Sequence, residues 1–141
     1  MRPQPAKKYK VLFICIGNAC RSQMAEGFVR AYGYDVLDAF SAGLMPTQSV
    51  PNMTRKAMLE KNIPIDQQFP KGLELYQRAA FDVVINMSGQ PIPKTLQATA
   101  RNWVVFDPMG QNDGVFRQVR DQLENLVMQL VLELRSRAAR A

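Results

Sequence analysis

Residues 11–16, Val-Leu-Phe-Ile-Cys-Ile, form an unbroken apolar run between a lysine-rich start and the pair Gly17-Asn18. A run with β-branched members and no polar alternation is a strand buried on both faces, which demands a parallel sheet with cover on each side. The period then changes. Met24, Ala25, Phe28, Val29 and Tyr32 recur at helical spacing, with Ser22 placed to cap and Gly33 to stop the helix. The opening unit is therefore strand, loop, helix. It recurs as a strand expected over 36–41, ended by Gly43, and a helix over 50–62 before Pro64. A short helix over 74–80, a strand over 81–87 and a weaker helical stretch over 92–100 follow. A strand over 102–106 precedes a long amphipathic helix over 113–137, whose stripe is Phe116, Val119, Leu123, Leu126, Val127, Leu130 and Leu134.

Such alternation predicts an α/β fold, a single three-layer domain over 1–141 with a four-stranded parallel sheet and helices on both faces. The first eight residues are expected to be flexible. At 141 residues, 47% of them apolar, the chain can build one core but not two. In doubly wound sheets, ligands gather beyond the carboxyl ends of the strands. Cys15 at the end of the first strand and Asp107 after the fourth should share that edge.

Cysteine usage narrows the chemistry. Cys15 and Cys20 are the only two, with four residues between them, too close to staple a secreted scaffold. With no histidine, they cannot complete a structural zinc site, so no metal is expected. No apolar run is long enough to span a bilayer, and the first ten residues lack a secretory signal, so the expected setting is cytoplasmic and away from membranes. The net charge of +6 favours anionic partners. Its two clusters, Lys7, Lys8 and Lys10, then Arg135, Arg137 and Arg140, read as solvated termini. Nothing interleaves aromatic with basic residues as a single-strand reader does, so nucleic acid is not expected.

The chemistry concentrates in Cys15-Ile16-Gly17-Asn18-Ala19-Cys20-Arg21-Ser22, where five residues separate a cysteine from an arginine and a hydroxyl residue follows. A loop between strand and helix can wrap a tetrahedral oxyanion, turning the N–H groups of Ile16, Gly17, Asn18, Ala19, Cys20 and Arg21 inward while the helix adds its positive end. Arg21 can make two parallel hydrogen bonds to the anion. The same field favours the thiolate of Cys15, and the Ser22 hydroxyl can donate to its sulfur. Alone, Cys15 would read as a small buried residue; with Arg21 and Ser22 at this spacing it reads as a nucleophile. Asp107, in an Asp-Pro pair that ends an apolar stretch, is the candidate acid.

These residues resemble the low-molecular-weight protein tyrosine phosphatases and their relatives, the thioredoxin-type arsenate reductases. Residues 11–15 with Gln23-Met24-Ala25-Glu26-Gly27, then Ser41-Ala42-Gly43, then Asp107-Pro108 with Asn112-Asp113, carry the likeness over most of the chain. The resemblance implies a flavodoxin-like sheet of order 2-1-3-4, Cys15 as nucleophile, Arg21 as oxyanion clamp, Ser22 as thiolate donor and Asp107 as general acid. It implies too that Asn18 supports the loop through a hydrogen bond to Ser41.

The chain departs from the phosphatase pattern where Met109 and Gly110 replace the aromatic residues that flank a phosphotyrosine ring, and where Gln67 or Gln68 replaces a histidine behind the loop. Gln23 through Gly27 reads closer to the reductases. Those, however, pass a disulfide to two further cysteines near the third strand, and this chain has none after Cys20.

The first reading is hydrolysis of a phosphomonoester, on a protein or a small molecule, through a cysteinyl-phosphate and without a cofactor. The alternative is arsenate reduction of the single-cysteine type, drawing on an external thiol such as glutathione or mycothiol and on a glutaredoxin-like protein. A third is a non-catalytic phosphate-binding module. Cys20 reads either as a small side chain packed behind the loop or as a redox partner that traps a Cys15 sulfenic acid as a disulfide.

Overall fold

Along β1 (Tyr9–Cys15) successive side chains go to opposite faces, and both faces are apolar. Val11 and Phe13 enter one hydrophobic cluster while Leu12 and Ile14 enter a second, all four wholly buried. The computed structural model describes residues 8–140, so the expected flexibility of the first eight residues falls, apart from Lys8, outside the described residues. β1 pairs in parallel with β2 (Leu37–Gly43) on one side and β3 (Val83–Asn86) on the other, and β4 (Ala100–Asn102) completes the expected order β2-β1-β3-β4.

One face carries α1 (Arg21–Tyr32), α2 (Asn52–Leu59) and α3 (Asp113–Arg140), packed over a cluster that runs from Val11 and Phe13 to Phe28, Met58 and Leu123. The opposite face is covered by two short 3₁₀ helices, Leu73–Tyr76 and Lys94–Leu96, with Phe40, Tyr76 and Phe81 meeting edge to face. The helices expected over 74–80 and 92–100 are thus single tight turns. Pro91 and Pro93 interrupt the second region, removing N–H donors that a longer α-helix would use.

The fourth strand differs most from expectation. It ends at Asn102 instead of spanning 102–106. One further ladder bond, from Trp103 N–H to the Asn86 carbonyl at 3.1 Å, extends the pairing, after which β3 has ended and turns through Gly89 at φ 72°. Residues 103–106 continue outside any strand, Val104 and Phe106 exposed and Val105 buried. Among the described residues no helix is long and apolar enough to cross a membrane.

Candidate active site

Cys15 closes β1, and α1 begins at Arg21 with no side chain capping it at Cys20. Its first-turn N–H groups therefore lack a side-chain cap, the usual provision for an anion. Ser22, expected to cap, instead turns towards β1, with its Oγ 2.8 Å from Cys15 Sγ. The polarity of that contact follows from its neighbours. Lys71 donates both its backbone N–H (2.9 Å) and its ammonium (3.3 Å) to Asn18 Oδ1. That fixes the Asn18 amide so that Nδ2 faces Ser22 Oγ at 2.7 Å and donates to it. The Ser22 proton is then left for the Cys15 sulfur.

Asn18 adopts a left-handed backbone at φ 49°, a conformation that asparagine takes more readily than other non-glycine residues. Three groups hold it there: Ser22, Lys71, and Gln23, whose Nε2 donates to the Asn18 carbonyl at 2.9 Å. Gln68 Nε2 in turn donates to Gln23 Oε1 at 2.8 Å, so a glutamine does brace the loop from the position noted in the sequence. The expected Asn18–Ser41 hydrogen bond is replaced by a bridge. The Lys71 ammonium contacts Asn18 Oδ1, Ser41 Oγ at 3.1 Å and the Phe69 carbonyl at 2.9 Å. Ser41 itself donates to Glu26 Oε1 at 2.5 Å. Burial pushes the Lys71 amine below its ordinary value while Glu26, 3.9 Å away, pulls the other way.

Arg21 is 5% exposed and fills the gap left where β3 and the 103–106 segment part. Its Nη1 donates to the carbonyls of Met87 (2.5 Å) and Val105 (3.1 Å). The opposite edge is otherwise disposed: Nε is buried without a partner, and Nη2 sits 3.6 Å from Asp107 Oδ2. A buried donor without an acceptor is costly, and a tetrahedral oxyanion on the Nε/Nη2 edge would satisfy it bidentately. The Asp107 side chain is half exposed, and its Oδ1 accepts the Met109 N–H at 3.1 Å. It stands at the mouth, where a carboxyl could exchange protons with a leaving group.

The cavity bounded by these groups measures about 230 Å³ and is walled by Cys15, Gly17, Cys20, Arg21, Asp107 and the side chains of Met45, Thr47 and Met109. A larger cleft of about 700 Å³ beside the ends of β3 and β4 touches Arg21 but not Cys15. Cys20 is held from two sides. Its thiol donates to Met109 Sδ at 3.2 Å and accepts from Thr54 Oγ1 at 3.3 Å. Burial, with the charges of Cys15 and Asp107, outweighs the Thr54 hydrogen bond and pushes Cys20 up to about 12. Attack on an oxidised Cys15 would require a thiolate that this environment suppresses.

Glu26, Lys71, Thr54 and the methionine wall went unrecognised in the sequence. Glu26 entered the sequence reading only as part of the Gln23–Gly27 likeness; Lys71, in the loop Pro70-Lys71-Gly72, carried no signal.

The family model described as low molecular weight phosphotyrosine protein phosphatase matches residues 10–140. The chain is 36% identical over 130 residues to the glutaredoxin arsenate reductase of Synechocystis sp., covering 89% of this chain and 98% of that protein. It is 37% identical over 128 residues to an arsenate reductase of Halalkalibacterium halodurans, covering 82% and 90%. An arsenate reductase solved in its phosphate-binding state superposes with a TM-score of 0.83 at 35% identity, covering 89% of this chain and 98% of the other. The arginine phosphatase YwlE of Geobacillus stearothermophilus, at 22% identity, shares the fold with a TM-score of 0.83 over 94% and 96%. With the Cys15–Ser22 segment joining β1 to α1, the chain is an enzyme belonging to the low molecular weight phosphotyrosine protein phosphatase family.

Proposed function

We propose that this enzyme reduces arsenate, with Cys15 as nucleophile and thiols from solution as the source of electrons. The observation that carries this reading is likeness over nearly the whole chain to arsenate reductases, at 36% and 37% identity. The narrow mouth agrees with it: Met45, Thr47 and Met109 wall a cavity of about 230 Å³ without an aromatic ring, enough for a bare oxyanion. This reverses the order of the two readings drawn from the sequence.

In the proposed reaction Cys15 displaces one arsenate oxygen, which leaves as water with a proton from Asp107, giving a Cys15–arsenic(V) adduct. Arg21 and the loop amides carry the charge on the remaining oxygens. With Cys20 protonated and no third cysteine in the sequence, an external thiolate attacks Cys15 sulfur. Arsenic leaves with the electron pair as arsenite, and a mixed disulfide remains. A second thiol, or a glutaredoxin-like protein, regenerates Cys15. The sum is arsenate plus two thiols giving arsenite, one disulfide and water. No resident cofactor is needed, and a reducing cytoplasm suits two free thiols.

Asp107 at the mouth favours one second reading, hydrolysis of a phosphomonoester through a cysteinyl-phosphate, with Asp107 activating the water. One experiment separates the two. The purified chain is given arsenate with glutathione or mycothiol and a matching redoxin, and in parallel p-nitrophenyl phosphate. Thiol-dependent arsenite formation that Cys15→Ser abolishes is the expected result; nitrophenol release with no arsenite from any thiol would leave the phosphatase reading in its place.

A further inference from the structure

The cradle contains more sulfur than anion binding requires. Cys15, Cys20, Met45 and Met109 line one cavity of about 230 Å³, and the Cys20 thiol lies 3.2 Å from the Met109 thioether. Hydrolysis uses one of these sulfurs, and so does the reduction proposed above. We propose that Cys15 and Cys20 together form a binding site for trivalent arsenic, taken as arsenous acid and bridged between the two sulfurs. This deepens the reading of the chain as an arsenate reductase by naming the fate of its product, although the site itself needs only the two thiols.

Charge selects the ligand. Arg21 and the free end of α1 make the cavity a poor host for a cation. Arsenous acid is uncharged near neutrality and meets no such repulsion, yet its arsenic is soft and prefers sulfur to oxygen, as soft centres do. The condensation balances without an oxidant. Two S–H bonds and two As–OH bonds break, two As–S bonds form, two waters leave, and arsenic stays trivalent with one hydroxyl. The high proton affinity of Cys20 is no barrier, since its proton departs with hydroxide.

Reach favours this bridge over a disulfide. A disulfide must bring the sulfurs to ~2.05 Å, whereas one arsenic atom between them spans a longer gap, so the loop distorts less. The contacts Cys20 gives up, a thiol bond to Met109 and a hydroxyl bond from Thr54, belong to the weak class. The bridge occupies the nucleophile. Arsenite would therefore close the site it left, and competing thiols would reopen it.

The test uses the full chain with arsenite alone and no small thiol, followed by native mass spectrometry and cysteine alkylation. The expected product carries one arsenic, gains the mass of arsenous acid less two waters, which marks the second As–S bond, and protects Cys15 from alkylation. Cys15→Ser and Cys20→Ser should each weaken capture by about tenfold or more. Cooperative melting of those variants checks that they fold, and Met109→Leu, which leaves both thiols, should keep the bridge. An adduct that has lost only one water overturns the proposal. So does a folded Cys20→Ser that binds as tightly as the wild type. Bridging without arsenate turnover would sink the proposed reaction and leave this site standing; turnover without bridging would do the reverse.

Discussion

Lys71 reaches Cys15 only through two other side chains. Lys71 holds the Asn18 amide in one orientation, and that orientation forces Ser22 to give its proton to Cys15. Lys71→Met keeps the backbone bond but removes the ammonium from Asn18, Ser41 and the Phe69 carbonyl. A hydrogen bond to a charged group is worth ~1.5–3 kcal/mol, and only part of that reaches the sulfur, so turnover should fall by about tenfold. The rate of Cys15 alkylation should fall with it; a lower turnover with an unchanged alkylation rate would make Lys71 merely structural. Cys20 makes a separate prediction. Its folded value of about 12 exceeds the ordinary 9.0, so the folded chain keeps a proton that the unfolded chain releases between them. Stability from this source is complete below pH 9.0 and is lost as pH rises towards 12. Thermal denaturation should show wild type losing more stability than Cys20→Ser across that window, and at pH 8 iodoacetamide should modify Cys15 alone.

At the scale of elements, the cradle depends on how closely β2 approaches it. A Cβ on Gly43 would lie 2.7 Å from both the Asn18 nitrogen and the Ile16 carbonyl oxygen, backbone atoms that cannot swing aside. Gly43→Ala should therefore cost ~1–3 kcal/mol and displace the loop, lowering turnover more than its melting temperature suggests. Helices α2 and α3 are tied by Glu60, which accepts from Arg117 and Arg120 and is held at about 2 by those bonds. Its contribution is present above the ordinary 4.5 and is lost as pH falls towards 2, so Glu60→Gln should flatten the acid limb of a stability profile in that window. Elements that announce themselves by period were legible beforehand. β1, α1 and α3 were expected within three residues of their ends, because each carries a long apolar pattern. The end of β4 was not, since strand length is set by the partner, and β3 stops at Asn86. The meeting of Cys15 and Ser22 was legible because both lie in one short segment between β1 and α1. The brace behind it was not, because Lys71 arrives from 53 residues away and its role depends on where Asn18 Oδ1 points.

Across the whole molecule, selectivity lies in what surrounds the cradle. Arg21 and the loop amides suit any tetrahedral oxyanion, so they cannot by themselves tell arsenate from a phosphate ester. Discrimination falls to the rim, where Met45 is 74% exposed and Met109 45% exposed, flexible thioethers that offer an aryl ring no rigid face to stack on. Met109 is also tethered, its Sδ accepting from Cys20 and its N–H donating to Asp107. Substituting Met109→Tyr supplies a ring beside the mouth and releases the Cys20 thiol in one step. A well-placed aromatic pair is worth ~0.5–1.5 kcal/mol beyond its buried area, so KM for an aryl phosphate should fall by roughly three- to tenfold. Arsenate, which has no ring, should gain nothing. Comparing kcat/KM for p-nitrophenyl phosphate with that for arsenate in wild type and variant isolates the rim from the cradle, since both proposed reactions draw on the same Cys15 and Arg21. If the variant leaves the ratio unchanged, substrate choice is made elsewhere, and the 700 Å³ cleft that shares Arg21 with the cradle is the next place to substitute.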